Sequence, residues 1–257
     1  MTSMPATTGR GTAHVREEAA GRASAALAEA LYDLGVDAGM RAPNSRGWAV
    51  AAILRVPSCA GGDCGLRCDR PATAADHVAA LGTALARDSV PCTAEIRDMQ
   101  AGLLILHLTT PEDADALTRW IVSRLTPERA AARRLRHALA SIGVDLHPQL
   151  RGAQIEIGPA TPADVASLYR ALGGTGDVAD GMAAMAPQEL RDLADLLAAR
   201  FRTQAQLALP VEAEPVCRRC ATSCYARRIR LGPVTGPQAL ALAAHLEPRT
   251  GTKEVPR

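Results

Sequence analysis

Six of the seven cysteines stand in two short runs, Cys59-x4-Cys64-x3-Cys68 and Cys217-x2-Cys220-x3-Cys224. Thiols at such spacing on turn-rich segments can meet at one point with little loss of chain entropy. That is the arrangement a thiolate-bound zinc ion or an iron–sulfur cluster requires. Gly61, Gly62 and Gly65 beside the first run allow the backbone to wrap closely, with N–H groups turned to sulfur. Each run supplies three ligands, one short of a closed tetrahedral zinc site. Cys92 is the candidate fourth ligand for the first run. For the second, His245, Glu212, Glu214 or a residue of the other half of the chain would serve.

Structural zinc is the reading taken, with an iron–sulfur cluster as the alternative. The two runs either bind separately or meet and bind jointly. Each could also hold three irons of a four-iron cluster and leave one open. A metal-free reading stays open as well. In it Cys217-Arg218-Arg219-Cys220 is a reactive thiol pair whose neighbouring guanidinium groups favour thiolate. An odd cysteine count fits a disulfide framework poorly.

Other chemistry is sparse. The six histidines, His14, His77, His107, His137, His147 and His245, form no HxxxH or HExxH motif. His107 alternates with Leu106 and Leu108 in an apolar run and reads as a solvent-side strand residue. His77 falls on the helix after the first run, within reach of it. No GxSxG, Walker or GxGxxG motif occurs, and Gly173-Gly174-Thr175-Gly176 follows a helix and lacks the Lys-Ser/Thr of a phosphate loop. No catalytic dyad can be assembled, so no catalytic residue is named. Two arginine groups could meet phosphate: Arg129/Arg133/Arg134/Arg136, and Arg218/Arg219/Arg227/Arg228/Arg230 around the second run. With only six aromatic residues, the composition argues against base-stacking readers of single strands.

Charge and composition set the frame. The 257 residues carry a net charge of +2, with 47% hydrophobic and 22% charged residues, a globular balance. Residues 1–126 hold 12 basic and 14 acidic side chains; residues 127–257 hold 17 and 13. The second half is mildly basic, short of a dedicated nucleic-acid binder. No apolar run reaches membrane-spanning length. Residues 1–15 lack the apolar core of a secretory signal, so a cytoplasmic protein with reduced thiols is expected.

The elements that must position the cysteines follow a repeat. Leu27-x2-Ala30-Leu31-x2-Leu34-Gly35-Val36-Asp37 returns 108 residues later as Leu135-x2-Ala138-Leu139-x2-Ile142-Gly143-Val144-Asp145. The spacing is a helical stripe ended by a glycine cap. Strand runs at 49–56, 103–108, 153–157 and 229–231 each have a preceding partner, at 36–41, 92–97, 144–150 and 205–212. Each is followed by a helix, with proline-marked starts at Thr110-Pro111 and Thr161-Pro162. The fold class expected is α+β and internally duplicated. Each half has a leading helix and two strand–strand–helix units, forming an antiparallel sheet of about four strands backed by helices. An extra helix over 187–201 joins the units of the second half.

The expected boundaries are a disordered stretch 1–15, a first half 16–126 with a cysteine loop at 58–71, a second half 127–247 with a cysteine hairpin at 215–226, and a flexible tail 248–257. The two cysteine runs interrupt this scaffold at different places, which marks them as added properties and not requirements of the fold. The function expected is a non-enzymatic, zinc-binding regulatory or accessory protein. It would contact nucleic acid or a protein partner through the basic second half. The alternatives are an iron–sulfur or thiol-dependent enzyme, and a homo-oligomeric assembly subunit joined through free strand edges.

Overall fold

The apolar stripes of the sequence become the helix faces that build two cores. A computed structural model describes residues 10–35, 38–41, 51–55, 74–98, 103–176, 178, 181–182, 185–214 and 227–247. The architecture is mixed α+β, with seven helices and small antiparallel sheets among the described residues. The chain divides into two compact units, residues 1–126 and 127–257. No described helix is long and apolar enough to cross a membrane.

The first unit runs α1 (Arg10–Asp33), β1 (Ala38–Arg41), β2 (Ala51–Arg55), α2 (Ala74–Arg87), β3 (Thr93–Asp98), β4 (Leu103–His107) and α3 (Pro111–Val122). α1 buries Ala20, Ala23, Leu27, Ala30 and Leu31, the i, i+3, i+4 stripe of one helix face, and Leu34 just past its end continues it. It begins at Arg10, so part of the stretch expected to be disordered is helical. After Pro5 nothing between Arg10 and Val15 breaks a helix beyond one glycine, which the first turn tolerates. The strand order is β1-β2-β4-β3, antiparallel throughout, with Ile53 and Glu95 opposite Ile105. Leu85, Leu106, Leu108, Leu117 and Ile121 close the core against α1. Each such side chain contributes roughly 1.5–3 kcal/mol on burial.

A polar clasp closes the end of this unit. Asp88, just past α2, accepts from Arg87 Nε at 3.1 Å, from Trp120 Nε1 at 2.8 Å and from Arg124 Nη2. The Arg124 guanidinium also lies 4.3 Å from the centre of the Trp120 ring. The hydrogen bonds from Arg87 and Trp120 are the main reasons the Asp88 carboxyl is held down to about 2. A depressed carboxyl contributes stability above its unfolded value near ~4 and loses it as pH falls through the folded value. Trp120 emission, read in a Trp48→Phe background, is therefore expected to hold steady from about pH 7 to 4 and to change between about 4 and 2. An identical acid transition in Asp88→Asn would contradict this assignment.

The second unit runs α4 (Pro127–Ser141), β5 (Gln149–Arg151), β6 (Gln154–Glu156), β7 (Gly158–Ala160), α5 (Pro162–Ala171), α6 (Pro187–Gln204), β8 (Val211–Ala213), β9 (Ile229–Leu231) and α7 (Gly236–Leu246). α4 ends where Gly143 takes φ +76°, letting Val144 N donate to Leu139 O at 3.0 Å. Thr161 and Asp164 form a reciprocal cap on α5. Buried Asp164 also accepts from Asp145 N at 3.0 Å, tying the helix start to the chain after α4. Phe201, Leu168, Leu197, Ile155 and Leu242 lie in the core.

The second unit departs from a single four-stranded sheet. β5 pairs only with β6, and β7-β9-β8 form a separate three-stranded sheet. The two are joined by a bridge in which Ile155 N donates to Val234 O at 2.8 Å and Val234 N to Ile155 O at 2.9 Å. The segment 158–160, between the strand run expected at 153–157 and the helix start at Thr161-Pro162, is strand β7. Gly158 at φ +107° swings the chain from the β5 side onto β9, a conformation a side chain would oppose. Pro159 is tolerated because β7 is an edge strand.

Candidate metal centre

β8 and β9 pair antiparallel with Ala213 opposite Ile229, and Glu214 N donates to Arg228 O at 3.0 Å. The second cysteine run therefore belongs to a segment whose two ends are held side by side by a hydrogen-bonded stem. Cys217, Cys220, Cys224, Arg218 and Arg219 themselves lie outside the described residues, as do Cys59, Cys64 and Cys68. The first run belongs to the connection between the end of β2 at Arg55 and the start of α2 at Ala74.

The stem alternates. Ile229 and Leu231 are buried in the core, while Arg228 and Arg230 face out. Across from Arg230 stands Glu212, and Arg230 Nη2 lies 3.5 Å from Glu214 Oε1. Of the two outward arginines of the stem, Arg230 is thus met by a glutamate. Arg227 differs: it is half-buried, and its Nη1 is buried with no hydrogen-bond acceptor among the described residues.

The α4 arginines are also engaged. Arg134 donates Nε and Nη2 to the two carboxylate oxygens of Glu247 at 2.8 and 2.9 Å. This holds the Glu247 carboxyl below its usual range and raises the Arg134 guanidinium further. Arg136 is buried. The bidentate pair ties α4 to the residue after α7, a contact that joins positions 113 apart and leaves no local sequence signal.

Cys92 is the one cysteine among the described residues. It sits just before β3, half-buried against the first core. Burial, with a smaller contribution from the Asp113 charge, pushes its thiol up to about 12. At neutral pH the free thiol is protonated and poorly nucleophilic. Serving as a metal ligand would require it to shed that proton, which a bound cation promotes.

Of the fourth-ligand candidates for the second run, Glu214 stands at the mouth of the stem, Glu212 is exposed on β8, and His245 lies in the last turn of α7. Among the described residues no three His, Cys, Asp or Glu side chains gather closely enough to hold a metal ion. His107 faces solvent, as its alternation implies, with Nε2 3.0 Å from Glu95 Oε2. The glycine-rich turn after α5 has a packing reason: a Cβ on Gly174 would fall 2.2 Å from the Tyr169 ring. Thus the cysteine segments are the parts of the molecule whose residue types can do chemistry. The donor set is soft sulfur, suited to zinc and to iron–sulfur clusters alike. No protein-family model, curated protein or solved structure matches the chain.

Proposed function

We propose that this chain is a non-enzymatic zinc-binding accessory or regulatory protein. In this reading the metal is held by Cys217, Cys220 and Cys224, and a second site is built on Cys59, Cys64 and Cys68, with Cys92 as its fourth ligand. The observation that carries the reading is the stem. Glu214 N to Arg228 O at 3.0 Å closes the segment bearing three thiols within eight residues. The stem then bears part of the loop-closure cost of bringing the three thiols together. A reducing compartment such as the cytoplasm would keep those thiols available.

We also propose that the two units are copies of one ancestral αββαββα unit. Both open with a helix packed along their last helix, α1 on α3 and α4 on α7. Strand neighbours agree if β6 and β7 together stand for β2: β1-β2-β4-β3 in one, β5-β6 and β7-β9-β8 in the other. On this view each copy acquired a cysteine segment at a different connection, β2 to α2 in the first and β8 to β9 in the second.

A protein partner suits the second unit better than nucleic acid. Arg230 and Arg134, one from each arginine group, are matched by Glu214 and Glu247, which commits those two cations within the protein and away from phosphates. Retention on immobilised DNA or RNA, measured across a salt series, is expected to be weak and nearly flat. A steep loss of retention with rising salt would overturn the protein-partner reading and make nucleic acid the partner.

A further inference from the structure

We infer that α2 is a hinged flap of the first unit, held closed by a latch of Asp88, Trp120 and Arg124, and that releasing the latch opens the turn that carries Cys92. The latch joins the end of α2 to the end of α3. Asp88 accepts from Trp120 Nε1 at 2.8 Å, from Arg87 Nε at 3.1 Å and from Arg124 Nη2. The Arg124 guanidinium lies over the Trp120 ring, 4.3 Å from its centre. Donors from two helix ends thus meet on one carboxylate. Charge-assisted bonds are the strong ones, and loss of that one charge weakens all of them together.

The rest of α2 is loosely held. Across residues 79–87 Leu85 is the one fully buried side chain, and Leu81 and Ala84 are half-buried. α3 by contrast buries Ala114, Leu117, Trp120 and Ile121. An element with few buried apolar groups opens at lower free energy than the core around it. The turn after α2 is strained: Ser89 takes φ +54°, a left-handed conformation that costs a residue other than glycine. Val90 N donates to Leu85 O at 2.9 Å and Cys92 N to Val90 O at 2.8 Å, so the turn is tied to the last turn of α2 and moves with it. Cys92 packs half-buried against the same core as Leu81 and Ala84. Lifting α2 therefore uncovers all three. The Asp88 and Arg124 side chains are 26% and 32% exposed, so water and salt ions reach the latch.

The test follows alkylation of Cys92 by N-ethylmaleimide in the full chain. It is read by mass spectrometry on the tryptic peptide 88–97, which Arg87 precedes and Arg97 ends. A chelator is present throughout, so metal at Cys92 does not mask the latch and the outcome is independent of the zinc reading. The parent is expected to label slowly, at a rate that urea below the unfolding transition barely changes, because opening a flap exposes little surface. Asp88→Asn and Arg124→Gln are each expected to raise the rate by about tenfold, with far-ultraviolet circular dichroism unchanged. Added salt should raise the rate in the parent and not in Asp88→Asn. Asp192→Asn, at an exposed carboxylate on α6, should label as the parent does. Parent-like rates in both latch variants would overturn the latch. Labelling of the parent that climbs steeply with urea from the lowest concentrations would mean that Cys92 is reached only by global unfolding, and would overturn the flap. If Asp88→Asn loses its fold, Arg124→Gln decides.

Discussion

If the second cysteine run holds zinc as proposed, Cys220→Ser is expected to reduce zinc affinity there by more than about a hundredfold, beyond the 10–100-fold typical of residues that only support a ligand. Cys220 is the middle thiol of Cys217-x2-Cys220-x3-Cys224, so its loss leaves two sulfurs seven residues apart. A serine hydroxyl is a poor zinc ligand, because the site needs a soft, deprotonated donor. The stem should survive: Glu214 N to Arg228 O and the Ala213–Ile229 pairing involve backbone groups outside the segment. The expected result is thus loss of metal with retention of fold. Metal content and circular dichroism of the variant check it. A variant that binds zinc as tightly as the parent would remove Cys220 from the ligand set.

Phe201→Ala is expected to cost about 3–5 kcal/mol, the usual consequence of deleting a fully buried aromatic ring. Phe201 is the largest completely buried side chain among the described residues, at 0% exposure, in the core of the second unit. It lies near the end of α6, where its carbonyl also accepts from Ala205 N and Leu207 N, both at 3.1 Å. α6 packs against β8, one of the two strands that close the cysteine segment. Loosening this helix should therefore weaken the stem as well as the core. Urea denaturation of the full chain measures the effect. Leu196→Ala on the same helix, at 39% exposure, should stay within about 0.5 kcal/mol. A Phe201→Ala variant within about 1 kcal/mol of the parent would contradict the packing described.

The helices were legible because each carries a full apolar stripe and a marked end. Leu27, Ala30, Leu31 and Leu34 before Gly35, and Thr110-Pro111 and Thr161-Pro162, all fall where the sequence places them. The strands of the second unit were less so. Val144, Leu146 and Pro148 are buried and alternate with exposed Asp145, His147 and Gln149, which is the signature of a strand. Yet the ladder begins only at Gln149, since Pro148 has no N–H to give and β6 offers partners only from there. Leu207 and Leu209 alternate in the same way. Their N–H groups go to Phe201 O and Leu207 O, and Gln206 sits at φ +53°, so β8 is confined to Val211–Ala213. Periodicity reports which side chains face a core; it does not report which backbones find a partner.

The candidate site divides the same way. The cysteine spacing and the pairing of the strands on either side of the second run could be read locally. The clasp of Asp88, Trp120 and Arg124, and the Arg134–Glu247 pair, bring together residues 32 to 113 positions apart. No local pattern encodes such pairs. They matter for function because they commit arginines that charge counting alone would have offered to a phosphate.

The most direct measurement is metal content together with the absorption spectrum of the full chain purified without oxygen. One or two zinc ions per chain and no visible band are expected. Iron with sulfide and a band at roughly 400 nm would contradict that expectation and make this an iron–sulfur protein. So would metal-free protein whose cysteine thiols all titrate.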